Sequence, residues 1–314
     1  MTPHGTTAAL LSDPPRAILT GGSGFLGGHL GRDLRRNGWR VTAVVTPRSS
    51  PSRVAALQAC GCETCVAPQD AAGWIELVHR VRPDVVFHLA TLFRGEHSAQ
   101  DIEPLVAANI TLGAHLLEGL RTAGGGAIVL AGSAWEHHEN RPYSPVSLYA
   151  ATKGALDALL AWYVEVAGIR AVTLDLSDMY GPDDPRRKLL TVLLEGAESG
   201  SRVQLNGGEP FIDLLHVRDA AQAFVTASTR VRQLPAGSRE RWSVRGDAPR
   251  TLRELAAIVE RVAGRAINVE WGIRAYRARE AFVPWTSGVR LPNWAPMTML
   301  DDGIRELWRQ RGTA

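Results

Sequence analysis

The sequence predicts a doubly wound α/β fold, a parallel sheet covered on both faces, with a smaller mixed C-terminal lobe. Three observations carry that prediction. Short runs of apolar, branched residues alternate with segments of helical period up to about residue 182. A glycine-rich stretch, "LTGGSGFLGGHL" (19–30), joins the first run to the first helix. The 314 residues, 45% hydrophobic and 21% charged, are ordinary for a globular chain long enough to bury a substantial core.

The strands read in order as "RAILT" (16–20), "WRVTAVV" (39–45), "CETCV" (62–66), "DVVFHLA" (84–90), "GAIVLAG" (126–132) and "IRAVTLDL" (169–176). Helical segments such as "AANITLGAHLLEGLRTA" (107–123) separate them, so the strands are joined by crossover helices and lie parallel. Near-continuous apolar runs belong to a sheet covered on both faces. Beyond residue 182 the rhythm loosens: "DPRRKLLTVLLEGAESG" (184–200) reads as a helix and "RVQL" (202–205) as a strand. "TLRELAAIVERVAG" (251–264) opens with the capping-box pair Thr251 and Glu254. We therefore expect a loose tail at 1–13, a dinucleotide-binding domain at 14–182, and a substrate lobe at 183–314 from which about 209–230 returns to the main sheet.

Composition argues against several classes. The net charge is only +3, and the densest charged run, "DDPRRK" (183–188), mixes both signs, which makes nucleic acid a poor partner. The opening residues carry no basic leader, and no apolar run approaches the roughly 20 residues of a membrane span, so a cytoplasmic protein without a membrane partner is expected. Cys60, Cys62 and Cys65 crowd into "ACGCETC" (59–65) with no second cysteine cluster, whereas structural zinc takes four ligands, usually from two separated pairs. They read as reduced thiols at a helix-to-strand junction. His137, His138 and His216 read as structural, and no metal is expected.

Gly21, Gly24 and Gly27 stand three apart between a strand and a helix. Glycines there let a pyrophosphate rest on backbone N–H groups at a helix N-terminus, so a dinucleotide is the expected cofactor. An acid near the end of the second strand would bind the ribose 2′-hydroxyl of NAD. No Asp or Glu occurs from 41 to 50; Arg48 stands there, beside Ser49 and Ser50. A guanidinium suits a 2′-phosphate, so NADP(H) is expected. Further on, Tyr149 and Lys153 lie four apart and share a helix face. A tyrosine whose ordinary pKa is about 10 needs a nearby cation to work near neutrality. Upstream, Ser133 ends the strand "GAIVLAG".

"TGGSGFLG" (20–27) with Ser133, Tyr149 and Lys153 in this order resembles the short-chain dehydrogenase/reductase family, whose nucleotide-binding half is the Rossmann fold. "FHLA" (87–90), "YGPDD" (180–184) and "FIDLLHVRDAAQAF" (211–224) look like landmarks of its extended, nucleotide-sugar-modifying branch, the epimerase/dehydratase family. "GSAWEHHE", "YAATK" and "YRARE" are most similar to CDP-abequose-synthase-like deoxysugar 4-ketoreductases. The resemblance implies a catalytic triad of Ser133, Tyr149 and Lys153. It adds Ser23, Phe25, Leu26, Leu89, Ala90, Thr91 and Asn109 to the glycines and Arg48 as cofactor-binding residues, and implies a homodimer. For the substrate, Trp135 two places after Ser133, Arg277 and then Arg187 are the candidates, with Arg186 and Lys188 as further cations.

Departures narrow the activity. Dehydratases of this branch carry Asp-Glu directly after the catalytic hydroxyl, but Ala134 and Trp135 follow Ser133. The asparagine of "NVYGP" is Asp178, which repels a substrate phosphate unless it points away or meets Arg186, Arg187 or Lys188. Asp70 alone remains of the acidic signature after the third strand. The implied activity is NADPH-dependent 4-ketoreduction of a nucleoside-diphosphate 4-keto-6-deoxyhexose, with Lys153 depressing the Tyr149 pKa. A nucleotide-sugar 4-epimerase with tightly bound NAD shares the same triad. A non-catalytic NADP-binding regulatory protein is the third class; loss of the Tyr or Lys would mark it, and both are present.

Overall fold

A computed structural model describes residues 13–311. The tail expected at 1–13 therefore lies outside the described residues apart from Asp13. The first half alternates as β1 (Arg16–Thr20), α1 (Phe25–Arg36), β2 (Arg40–Val45), α2 (Pro51–Ala59), β3 (Glu63–Val66), α3 (Ala71–Val81), β4 (Val85–His88), α4 (Ile102–Val106), α5 (Leu112–Thr122), β5 (Ala127–Ser133), α6 (Leu148–Ala167) and β6 (Arg170–Leu176). All six expected strands are present. Successive strand side chains point to opposite faces, and both faces are apolar here. Ala17, Leu19, Phe87 and Val129 pack with Leu30 and Leu34 of α1, while Ile18, Val86, Ile128 and Leu130 pack with Trp74 of α3 and Leu116 and Leu120 of α5.

The second half runs β7 (Asp178–Tyr180), α7 (Leu189–Ser199), β8 (Val203–Gln204), β9 (Phe211–Ile212), β10 (Leu214–His216), α8 (Val217–Gln233), β11 (Arg239–Val244), β12 (Arg250–Thr251), α9 (Leu252–Ala263), β13 (Val269–Glu270) and α10 (Leu300–Arg311). The main sheet has seven parallel strands in the order β11-β6-β5-β4-β1-β2-β3. The order reverses at β1, between β4 and β2, and such a switch point opens a ligand crevice at the carboxyl ends of the strands. The lobe consists of short pairs, β7 with β10, β9 with β12 and β8 with β13. They surround a separate core that includes Leu193, Leu194, Leu255, Val259 and Ile304. Helix α9 begins with the predicted capping box: Glu254 N donates to Thr251 Oγ1 at 3.2 Å, and Thr251 N donates to the Glu254 carboxylate at 2.7 Å.

Four details differ from expectation. Of the 209–230 segment expected to return to the main sheet, β9 and β10 pair in the lobe and no strand joins the main sheet; helix α8 packs there, its Phe224, Ala227 and Val231 joining the α1-side core. The strand that extends the sheet is β11, paired with β6. Its sequence, Arg239-Glu240-Arg241-Trp242, shows no apolar run because its charges are paired with partners elsewhere in the chain. Helix α7 starts at Leu189 rather than 184, because Asp184 accepts from both the backbone and the guanidinium of Arg186 and holds a loop there. The helix expected over 107–123 begins with a π-helical turn at Ala107–Thr111.

Candidate functional site

The glycine stretch lies at the switch point. Gly21 adopts a φ of +69°, and a Cβ on it would stand 2.8 Å from Ala90 N. A Cβ on Gly27 would stand 2.1 Å from Gly21 O and 2.7 Å from Gly22 O. The N-cap of α1 is Gly24, which has no side chain to cap the first turn, and no acidic residue lies there. The amides of the first turn are thus open to an anion. This cradle fits a dinucleotide pyrophosphate, with Ser23, Phe25 and Leu26 around it. Replacing Gly27 with Ala forces methyl against backbone oxygens that cannot yield. Such overpacking costs about 1–3 kcal/mol, so nicotinamide dinucleotide affinity, measured by fluorescence titration, is expected to fall about 10- to 100-fold. Unchanged affinity would place the cofactor elsewhere.

Thr20 Oγ1 pairs with Nδ1 of buried His88 at 2.8 Å and accepts from Ala90 N at 3.2 Å, tying the ends of β1 and β4 and fixing Leu89 and Ala90 beside the glycines. At the end of β2, Ser49 Oγ lies 2.7 Å from Ser23 Oγ and accepts from Thr46 N at 3.0 Å. Arg48 is exposed on that turn. A second cation stands close by and was missed by the sequence reading: Arg53 of α2 donates to Ser23 O at 3.4 Å and Asp183 O at 2.5 Å.

Asn109 sits in the π-helical turn and is buried. It accepts from Thr91 Oγ1 at 3.0 Å and Leu92 N at 2.7 Å, and donates to Leu92 O at 3.0 Å and Thr152 Oγ1 at 2.9 Å. Its amide therefore holds the loop after β4 against α6, with Thr91 turned toward Tyr149.

Ser133 ends β5, and its backbone N–H donates to Glu136 Oε1 at 3.1 Å while its hydroxyl accepts from Trp135 N at 3.2 Å. Ser133-Ala134-Trp135-Glu136 forms a capping box, and that local spacing is the sequence signal that points to Glu136. Tyr149 and Lys153 rise from the first turns of α6, which Ser147 caps by accepting from Ala150 N at 3.3 Å. Burial pushes the Tyr149 phenol up to about 12, and hydrogen bonding to Ser133 and Thr91 acts the other way. Lys153 Nζ lies 5.9 Å from the centre of the Tyr149 ring and donates to Ala131 O at 3.1 Å. Burial lowers it to about 8. Contrary to expectation, Lys153 is not among the groups that shift the phenol here; burial is the largest influence and acts upward.

A cleft of about 1260 Å³ opens beside this trio and includes Phe93, Trp135, Asp178, Arg187, Lys188 and Arg277 in its lining. Phe93 packs edge-on against Tyr149 at 5.0 Å and Trp135 at 5.3 Å, forming an aromatic wall next to the phenol. Trp135 Nε1 donates to Asp178 Oδ2 at 3.1 Å, and Lys188 Nζ donates to Asp178 Oδ1 at 2.7 Å. Asp178 has met one of its three candidate cations. Burial raises its pKa, but Lys188, Trp135 and Arg186 outweigh that and hold it below the ordinary carboxylate range. Arg277 lies over the Trp135 ring at 5.9 Å, whereas Arg187 pairs with Glu195 at 2.8 Å and is largely exposed. Behind the wall, Glu136 and Asp175 share Arg241, a network reaching from Ser133 to β11.

Among the described residues no group of three or more His, Cys, Asp or Glu side chains is placed to hold a metal, and no helix is long and apolar enough to cross a membrane.

The model of the NAD dependent epimerase/dehydratase family matches residues 17–240. The chain is 25% identical over 305 residues to a UDP-glucose 4-epimerase of Mycolicibacterium smegmatis, covering 92% of this chain and 96% of that one. It is 24% identical over 272 residues to the CDP-abequose synthase of Yersinia pseudotuberculosis, covering 86% and 91%. Among solved structures, the UDP-glucose 4-epimerase of Thermus thermophilus in complex with NAD superposes with a TM-score of 0.78 at 24% identity, over 95% of this chain and all of that one. The Thermotoga maritima UDP-glucose 4-epimerase with UDP-glucose gives 0.80 at 19%, over the same shares.

Proposed function

We propose, from the premise that the chain belongs to the NAD dependent epimerase/dehydratase family of nucleotide-sugar-modifying enzymes, that it is an NADPH-dependent 4-ketoreductase acting on a nucleoside-diphosphate 4-keto-6-deoxyhexose. What supports this reading is the placement of the Tyr149 phenol, hydrogen-bonded to Ser133, against the aromatic wall of Phe93 and Trp135, with no acidic pair following Ser133. A ketone under reduction needs a positioned proton donor, and a phenol held beside Ser133 can serve as one. The bound dinucleotide supplies the hydride. Tyr149 gives its proton to the alkoxide oxygen that forms on the sugar, and Ser133 hydrogen-bonds the same oxygen. Lys153 would hold the nicotinamide ribose, and its charge would stabilise the phenolate left when Tyr149 gives up its proton. Phe93 and Trp135 offer the sugar an apolar face suited to a 6-deoxy carbon, and Arg277 lies at the edge of the cleft for the diphosphate. Ala134 and Trp135, in place of an acidic pair, argue against dehydration. Turnover of a panel of dTDP- and CDP-linked 4-keto-6-deoxy sugars with NADPH tests the reading; absence of reduction across the panel would reject it.

The similarity to UDP-glucose 4-epimerases favours a second reading, a nucleotide-sugar 4-epimerase that retains NAD. The cofactor choice rests on Arg48, with Ser49 beside it. Arg48→Asp is expected to raise the KM for NADPH far more than it lowers kcat, because the 2′-phosphate is remote from the hydride and its contact is the same in ground and transition states. A wild type that prefers NADH would overturn the assignment. We also propose a cytoplasmic homodimer built on α4, α5 and α6. Leu159, Trp162 and Val166 lie on one face of α6 and are exposed, as are Ile102 and Val106; a monomeric mass in sedimentation would reject the dimer.

A further inference from the structure

The cysteine cluster takes no part in this chemistry, yet its geometry is specific. Cys60 caps the C-terminus of α2, and Gly61 follows with a φ of +87°, a conformation that turns the chain back on itself. Cys62 thereby returns beside Cys60, with the two Sγ atoms 3.7 Å apart. Cys62 is buried and its thiol faces Gly31 O of α1 at 3.7 Å; Cys60 is half-buried and its thiol donates to Leu57 O at 3.0 Å. Arg35 packs against the intervening glycine, its Nε and Nη2 each 3.0 Å from where a Cβ on Gly61 would stand. Its Nε is buried without a hydrogen-bond partner.

We propose that Cys60 and Cys62 form a peroxide-sensitive dithiol that closes to an intramolecular disulfide, with Cys65 standing apart on β3. The sulfurs need to approach by about 1.7 Å to reach the disulfide length of about 2.05 Å. Cys60 is the more accessible partner and makes the first attack as its thiolate. Its thiolate attacks hydrogen peroxide: an S–O bond forms, the O–O bond breaks, and the leaving hydroxide takes up a proton as water. Cys62 then attacks the sulfenic sulfur: the S–S bond forms, the S–O bond breaks, and the departing hydroxide carries off the Cys62 proton as a second water. The two thiols lose two electrons together, and the peroxide gains them.

The test is independent of any enzymatic activity. The purified chain is treated with hydrogen peroxide, unfolded, alkylated and mapped by mass spectrometry. Expected is the loss of two of the three alkylatable thiols, a mass lower by two hydrogens, a bridge between Cys60 and Cys62, and reversal by dithiothreitol. Cys65→Ser should behave identically, and Cys60→Ser should form no bridge. Three thiols still alkylated in the wild type, a bridge involving Cys65, or bridges between chains would each overturn the proposal.

Discussion

Tyr149→Phe is expected to lower kcat by at least about 10²-fold while NADPH binds as before. The change removes one hydroxyl and leaves the ring in place against Phe93, so the aromatic wall, the α6 helix and the glycine cradle are untouched. What disappears is the proposed proton donor. An alkoxide formed without a positioned acid has only water to protonate it, and such a donor is typically worth about 10²- to 10⁴-fold. Ser133→Ala should cost less, because Tyr149 still holds the oxygen. Lys153→Met should reduce both rate and cofactor affinity. Stopped-flow turnover alongside fluorescence titration separates the three variants. A folded Tyr149→Phe protein with near wild-type rate would remove this residue as the acid.

Arg241→Met is expected to be the most destabilising of the single substitutions considered. The guanidinium donates to Asp175 Oδ2 and Oδ1 at 2.7 and 2.8 Å and to Glu136 Oε2 at 2.7 Å. Glu136 and Asp175 are 1% and 2% exposed, so removing their shared cation strands two carboxylates in the interior. Breaking a buried ion pair from one side costs about 3–5 kcal/mol, and urea unfolding should show a loss of that order. Arg239→Met is the control. That arginine is about half exposed in its pair with Asp157, where the loss should stay near or below about 1 kcal/mol. Equal losses for the two variants would show that the network is no more than surface pairing. Because Glu136 also accepts from Ser133 N, the Arg241 variant should lose activity as well.

What could be read in advance follows from the range of the signals. Strands β1, β4 and β5 announce themselves because they are buried and largely apolar on both faces, and the glycine cradle does so because its spacing is local. Tyr149 and Lys153 are legible through one helical turn. Strand β11 was not legible, since Arg239, Glu240 and Arg241 look like loop residues until their partners are known, and Glu136 lies 105 positions from Arg241. Lys153 donating to Ala131 O leaves no trace in the sequence either, because a backbone carbonyl carries no residue identity. Asp178 was legible as a departure. Its resolution through Lys188 and Trp135 needed the fold of β7 against the loop that precedes α7.

Net reduction and internal epimerisation part in one measurement. The purified chain is assayed for bound nucleotide and then given a nucleoside-diphosphate 4-keto-6-deoxyhexose with NADPH, while NADPH consumed and sugar reduced are counted together. A 4-ketoreductase consumes NADPH in a one-to-one ratio with the ketosugar and arrives without tightly held NAD. A protein that carries NAD through purification and interconverts 4-hydroxyl epimers with no net consumption of NADPH would contradict the reductase assignment.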